Sequence, residues 1–416
     1  MKKATVVGGG ITGIATALYL NKKNFDVTIY ESSKNIGGIL KDSLFDQDLY
    51  FSNCQYLNKN SKWMDLFFNE TFKKDFFTFN HTYSSYTDIF GKAIATKEYA
   101  MPVSQKTINL ANFQKSNEIN NIIERFSYYG NDHKKALINF SKKYFENISN
   151  LHHSFVYPTQ LSKIYFEKIN GIKKIKNDYE IANEILGLPR SKLSINQKLE
   201  SIIPINGYNH FFNNVKKLLG KLNIKVFCNS PIRPALCNTN KQNPIDIFYK
   251  KEKIESDITV WCSNPTPLIK VCDIGILDNP FTRFKSYFLK TNNFQIDEPH
   301  YIQVFSKYTN ITRIYLYPIQ NKNMKITVEK IDDSKDFNHD LSIIEKILSK
   351  FNFNVKLIFN NQYTNQKRHI LYTYQDLKKF EEMEEFIKEK NFICGAWTKY
   401  GRDDKINSIY NRIDQI

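Results

Sequence analysis

Short apolar runs bounded by turn residues alternate along this chain with stretches of helical spacing, and the first forty residues carry the clearest case. Residues 4–7 (Ala-Thr-Val-Val) are apolar and β-branched, as expected of a strand buried on both faces. Ile14, Ala15, Leu18 and Tyr19 follow at helical spacing, and 25–30 (Phe-Asp-Val-Thr-Ile-Tyr) predicts a second strand. Residues 63–94 read as a helix followed by short strands. From 104 to 199 helical patterns dominate, among them 117–128 and 133–148, punctuated by Pro158, Gly171 and Pro189. Phe211, Phe212, Val215, Leu218 and Leu219 predict a helix leading into a strand at 224–232, and 257–265 reads as a buried strand and turn. Between 281 and 330 the pattern becomes short alternating strands at 285–291, 301–305, 312–317 and 325–329, and 403–413 is again helical.

The turn between the first strand and helix is Gly8-Gly9-Gly10-Ile11-Thr12-Gly13, a G-x-G-x-x-G fingerprint. Gly8 allows the tight turn, Gly10 lets a pyrophosphate approach the backbone, and Gly13 lets helix and strand pack closely. The helix N-terminus then presents unpaired N–H groups and a partial positive charge to phosphate. Glu31 stands at the end of the second strand, 18 residues after Gly13, where a carboxylate accepts hydrogen bonds from both ribose hydroxyls. It would repel a 2′-phosphate, so the expected dinucleotide is FAD or NAD rather than NADP. The same stretch does not read as an export signal, because the triple glycine interrupts the apolar run and Asn21-Lys-Lys-Asn24 replaces a cleavage site.

After Glu31 come Ser32-Ser-Lys-Asn-Ile-Gly37-Gly38. A ribose-binding Glu followed at this distance by a glycine pair resembles the FAD-binding half of the amine oxidase, protoporphyrinogen oxidase and UDP-galactopyranose mutase superfamily. The resemblance implies noncovalent FAD, held by Gly8, Gly10, Ile11, Thr12, Gly13, Glu31, Ser32, Gly37 and Gly38. It places Asn53, Cys54 and Gln55 at the flavin edge, although Gln47-Asp48 and Ser52-Asn53 replace the usual glycines. By the same resemblance the backbone near Ile232 contacts adenine, and Gly395 carries the chain past the ribityl and pyrophosphate groups, with Trp397 and Tyr400 near the flavin. Ala396 departs from the Arg or Asp common in relatives, and Asn407-Ser408-Ile409 lacks their glycine.

The implied fold is α/β: a discontinuous Rossmann-like FAD-binding domain (1–75, 200–270 and 385–416) with an inserted α+β substrate domain (76–199 and 271–384) containing a mixed or antiparallel sheet. Residues 155–165 resemble the segment where a substrate-domain helix meets the flavin domain. Tyr157, Lys163 and Arg190 either face the cavity or pack ordinarily. Arg313, Tyr315 and Tyr317 alternate on one face of a strand roofing the flavin. That face either grips an anionic substrate, as in the mutase branch, or meets solvent; Arg313, Tyr315 and Tyr157 are the catalytic-site candidates.

At 416 residues the chain should hold two cores. The 32 Phe and 25 Tyr suffice to line an apolar cavity as well as fill those cores. A formal charge of +17 comes from basic residues scattered singly and in pairs, so no nucleic-acid module is expected. Coding bias on solvated surfaces and an electropositive mouth both remain open as its cause. No run approaches the ~18 apolar residues of a membrane span, and six cysteines without a C-x-x-C pair suit reduced thiols in the cytoplasm. His152-His153 is the one His pair and reads as structural rather than metal-binding. The expected function is FAD-dependent oxidation or reduction of a small molecule. The alternatives are a mutase-like isomerisation of a nucleotide-sugar and a flavin-binding protein with little catalysis. Neither the substrate nor the oligomeric state can be read from the chain.

Overall fold

The computed structural model describes all residues except 46, 67–73, 81–82, 102, 104–106, 116–117, 167, 188–199, 238–243, 279, 292–293, 295, 320–322, 334–336 and 388–390. Arg190 lies outside the described residues.

The apolar run becomes strand β1 (Lys3–Val7), followed by helix α1 (Ile11–Lys22) and strand β2 (Asp26–Tyr30). Together with Lys225–Phe227, Ile258–Trp261 and Phe392–Cys394 they form a five-stranded, wholly parallel sheet. Its order is Lys225–Phe227, β2, β1, Ile258–Trp261, Phe392–Cys394, so widely separated segments return to one sheet. β1 is central and buried from Ala4 to Val7, which is why its residues are apolar without alternation. Helix Arg402–Ile413 packs beside α1, with Tyr19 stacked on Tyr410 at 3.9 Å. The Tyr410 hydroxyl donates to the Ala15 carbonyl at 3.0 Å.

A second sheet has seven strands in the order Leu357–Ile370, Phe281–Thr291, Asn323–Ile331, Ile311–Ile319, His300–Phe305, Tyr83–Thr87, Ile94–Thr96. All neighbours are antiparallel except His300–Phe305 with Tyr83–Thr87, so the sheet is mixed. Ile311–Ile319 is buried at every residue, because helix Phe337–Ser349 covers one face and the loop after Phe51 covers the other. The solvent-face alternative for Arg313, Tyr315 and Tyr317 is therefore overturned.

Several elements differ from the sequence pattern. The helix expected over 117–128 is the short Ile122–Phe126, started by a reciprocal Asn121–Glu124 capping box, and the one over 133–148 is Asn131–Ser141. The strand expected at 224–232 is interrupted: Lys225–Phe227 joins the parallel sheet, while Ile232–Leu236 pairs with Ile245–Tyr249. Phe76–Asn80 pairs with Glu200–Pro204, so a strand expected on the substrate side is joined to one expected on the cofactor side. No described helix is long and apolar enough to cross a membrane. The six cysteines are free thiols.

Candidate dinucleotide site and the cleft above it

The fingerprint turn is held by its own backbone. A Cβ on Gly13 would lie 1.9 Å from the Gly8 carbonyl oxygen, so only glycine permits this contact between α1 and the end of β1. Gly10 is different: around its missing Cβ the nearest atom is the Cα of Gly38, 4.0 Å away. Gly37 donates to the Gly9 carbonyl at 2.8 Å, which fixes the second glycine pair opposite the first. Ile11 and Thr12 form the first turn of α1, behind Gly10 as N-cap with no side-chain cap. The unpaired N–H groups of this first turn thus start beside the paired glycines.

Glu31 is buried at the end of β2, with one carboxylate oxygen accepting from Gly9 N–H at 2.6 Å and the other from Ser33 N–H at 2.7 Å. The Ser32 hydroxyl donates to it at 3.3 Å. Of the about four lone-pair sites a carboxylate offers, one remains free for a hydroxyl group, and a second opens if the Ser32 hydroxyl turns away. Ser230 N–H donates to the Glu31 carbonyl at 2.8 Å, which brings the stretch leading to Ile232 beside Glu31.

The loop 52–56 is held by hydrogen bonds with the roof sheet and with helix Gly207–Lys221. Phe51 N–H donates to the Tyr317 hydroxyl at 2.8 Å, and Cys54 N–H to Glu329 at 3.1 Å. The Tyr208 hydroxyl donates to the Gln55 carbonyl at 3.3 Å, and Gln55 Nε2 to the Ile39 carbonyl at 3.3 Å. Gln55 Oε1, Asn53 Oδ1, the Tyr315 hydroxyl and Gln303 Nε2 are buried and make no hydrogen bond among the described residues. Orphaned polar atoms are costly unless something polar meets them, and four border this one region. An open Cβ direction at Gly10 and these orphans fit a dinucleotide carrying a polar ring system.

Arg313 is not a free cation. Its Nη1 lies 3.2 Å from Glu329 Oε2, and Nη2 donates to the Pro158 carbonyl at 2.7 Å. Expecting it to meet a substrate anion assumed no acidic neighbour; Glu329, fully buried on the adjacent strand, supplies one. Tyr157 is half-buried, stacked on Tyr400 at 5.8 Å and lying 5.9 Å from the Arg125 guanidinium. Lys163 ends the turn Leu161–Lys163. Gly395 packs on the strand Ile258–Trp261, where a Cβ would come 2.6 Å from the Trp261 carbonyl oxygen. Trp397 donates to the Ser263 carbonyl at 3.0 Å and lies 6.1 Å from the Phe380 ring. Its hydrophobic contacts are with the cluster around Trp261 and Leu268.

His152 and His153 are both half-buried and bonded within the protein. His152 accepts from Ser154 N–H at 3.2 Å, and burial lowers its pKa to about 4. His153 pairs with Glu184 at 2.8 Å. No group of His, Cys, Asp or Glu suited to a metal occurs among the described residues.

The sequence reading missed Glu329, Gln303 and Arg402. Glu329 was discoverable, because Lys325, Thr327 and Glu329 alternate on a predicted strand. Arg402 begins the last helix, and its position in the cleft follows only from the return of that helix to the first sheet.

A parallel sheet with a doubled glycine turn, roofed by a separate mixed sheet, decides the fold. Solved structures of a UDP-galactopyranose mutase, a candidate protoporphyrinogen oxidase and putrescine oxidase share this fold. The sequence pattern of the NAD(P)-binding Rossmann-like domain family matches residues 6–67. A reduced UDP-galactopyranose mutase superposes with a TM-score of 0.65 at 11% identity, covering 100% of this chain and 93% of that one. A candidate protoporphyrinogen oxidase from Exiguobacterium gives 0.62 at 13%, covering 100% and 98%. Putrescine oxidase bound to putrescine gives 0.58 at 10%, covering 100% and 98%. Among curated sequences, carotenoid phi-ring synthase of Chlorobaculum tepidum is 54% identical over 39 residues, spanning 9% of this chain and 6% of that protein's length.

Proposed function

We propose that this chain is an FAD-dependent enzyme that oxidises or reduces a small molecule, with the flavin bound noncovalently between the two sheets. The observation carrying this reading is the side-chain-free backbone surface that Gly10 and Gly38 form together, with Glu31 fixed on one side and the orphaned atoms of Asn53, Gln55, Tyr315 and Gln303 on the other. A bound flavin would supply the capacity to take or give an electron pair.

The chain's own residues do the rest. First-turn N–H groups of α1 neutralise a diphosphate, and Glu31 takes the ribose hydroxyls while excluding a 2′-phosphate. The loop 52–56, anchored by Tyr317 and Glu329, holds amide groups in place toward the ring edge. The tyrosines of the roof keep water out of the cleft. On this reading residues 1–75, 200–270 and 385–416 serve the cofactor, and 76–199 and 271–384 the substrate. Superposition on putrescine oxidase and on a candidate protoporphyrinogen oxidase supports net redox chemistry. The isomerase reading drew on the basic charge, the modest length and the Arg313/Tyr315 strand, and the pairing of Arg313 with Glu329 removes the last of these.

The test is direct. Purified protein should be yellow, and acid precipitation should release one FAD per chain into the supernatant. A colourless protein that takes up NAD, or pigment that stays with the pellet, would contradict the cofactor identity or its noncovalent attachment respectively.

A further inference from the structure

Of the buried or half-buried arginines flanking the cleft, most are neutralised by acids. Arg313 pairs with Glu329 and Arg125 with Glu184. Among the described residues Arg402 makes no ion pair, and its one hydrogen bond there runs from Nη1 to the Tyr56 carbonyl at 3.3 Å. Its neighbour Asp403 is turned away, accepting from Trp63 Nε1 at 2.6 Å and Asn58 Nδ2 at 3.2 Å. Desolvation lowers the pKa of Arg402, offset in part by Tyr208, Asp403, Tyr56 and Tyr400 around it. Arg402 is also the first residue of helix Arg402–Ile413, the end of a helix where the macrodipole favours negative charge and disfavours a cation. A half-buried guanidinium placed against a dipole and without a carboxylate in ion-pair range is favourably met by an anion.

A second, independent observation points into the same space. The Tyr315 hydroxyl is fully buried without a partner among the described residues, and its electrostatic neighbours include Tyr208 and Tyr56, the same two rings that flank Arg402. Gln55 Oε1 and Asn53 Oδ1, likewise unpartnered, lie on the loop that carries the Tyr56 carbonyl. One cation, one free hydroxyl and a wall of tyrosine rings thus converge at the loop 53–56.

We propose that Arg402 holds the anionic group of the substrate in this cleft, so that the enzyme acts on a small organic acid, a carboxylate or phosphate with an apolar body. The inference rests on the flavoenzyme reading above. Guanidinium matches either oxyanion with two parallel hydrogen bonds, and Tyr315 can donate a third. The rings of Tyr56, Tyr208 and Tyr400 would face the remainder of the molecule.

The test titrates flavin-loaded protein with benzoate and, separately, with phenyl phosphate and inorganic phosphate. Absorbance of the flavin and calorimetry are both recorded. Wild type should bind at least one of the two aromatic anions and perturb the flavin spectrum. Arg402→Gln should weaken that binding at least tenfold with flavin content unchanged, and Arg402→Lys should recover only part of it. Preference for benzoate or for phenyl phosphate assigns carboxylate or phosphate, and tight binding of inorganic phosphate alone overturns the organic-acid assignment. Equal affinity in wild type and Arg402→Gln, or no anion binding to wild type, overturns the proposal. So does loss of flavin from a variant whose circular dichroism and melting are unchanged, which would give the guanidinium to the cofactor. If wild type carries no flavin, the cofactor reading fails, and calorimetry on the same protein still decides whether Arg402 binds the anion.

Discussion

Arg313 and Glu329 lie opposite each other on adjacent strands of the roof sheet, Nη1 to Oε2 at 3.2 Å, and each also holds a loop: Arg313 the carbonyl of Pro158, Glu329 the N–H of Cys54. One ion pair therefore joins the helical segment containing Tyr157 to the loop at the cleft. Removing either partner leaves a charge buried without compensation, a loss of about 3–5 kcal/mol. Arg313→Ala and Glu329→Ala should each lower the denaturant midpoint by that order. The double replacement Arg313→Met with Glu329→Leu should be less harmful than the sum. Additive losses in a double-mutant cycle would show that the pair is not coupled.

The two fingerprint glycines should fail in different ways. At Gly13 even a methyl group meets the Gly8 carbonyl, so Gly13→Ala should destabilise the fold by about 1–3 kcal/mol. Gly10→Val places a Cβ whose one neighbour within 4 Å is the Gly38 Cα at 4.0 Å, so it should cover the glycine surface, leave melting of the flavin-free protein nearly unchanged and abolish flavin uptake. Melting curves with and without added FAD separate the two. Loss of folding in Gly10→Val would show that the glycine surface is packing space.

Glu31 should matter before any ligand binds. Its carboxylate caps Gly9 and Ser33, so Glu31→Ala forfeits two charge-assisted bonds of about 1.5–3 kcal/mol each at most. The flavin-free variant should melt below flavin-free wild type, and its amides at 9 and 33 should exchange faster. Identical melting of the two apoproteins would confine Glu31 to ribose recognition.

Asp42 introduces a pH dependence. Burial raises its pKa to about 6, against the pull of two N–H groups at the start of helix Gly207–Lys221, from Tyr208 at 3.0 Å and Asn209 at 2.8 Å. Between its unfolded value of 3.8 and about 6, the folded state keeps a proton that the unfolded chain has lost. The contribution is therefore fully present below the lower value and declines as pH rises through about 6, a loss of about 3 kcal/mol in total. Asp42→Asn should flatten this part of the stability profile. An unchanged slope between pH 4 and 6 in the variant would assign the effect to other groups.

The sequence by itself determined the nucleotide half. The apolar run, the spaced glycines and Glu31 are local requirements: a turn, a close approach and a charge within one β-α-β unit, each met by residues near in the chain. The roof strands were legible for a related reason, since period-two alternation reports two distinct faces. Tertiary structure alone decided what those faces meet. Alternation placed Arg313 beside Tyr315 but could not show that Glu329 lies across from it, because strand register depends on turns and packing between the segments. It could not separate a buried face from a wet one in Ile311–Ile319, since helix Phe337–Ser349 and the loop after Phe51 arrive from elsewhere in the chain. The long edge strand Leu357–Ile370 escaped notice because its central residues are polar and its pairing comes from Phe281–Thr291. Arg402 was just the first residue of a terminal helix until that helix packed beside α1 and brought its guanidinium to the Tyr56 carbonyl. A charge is described by its sequence, but its partner, and so its energy in a low dielectric, is set by distances that only the folded chain defines.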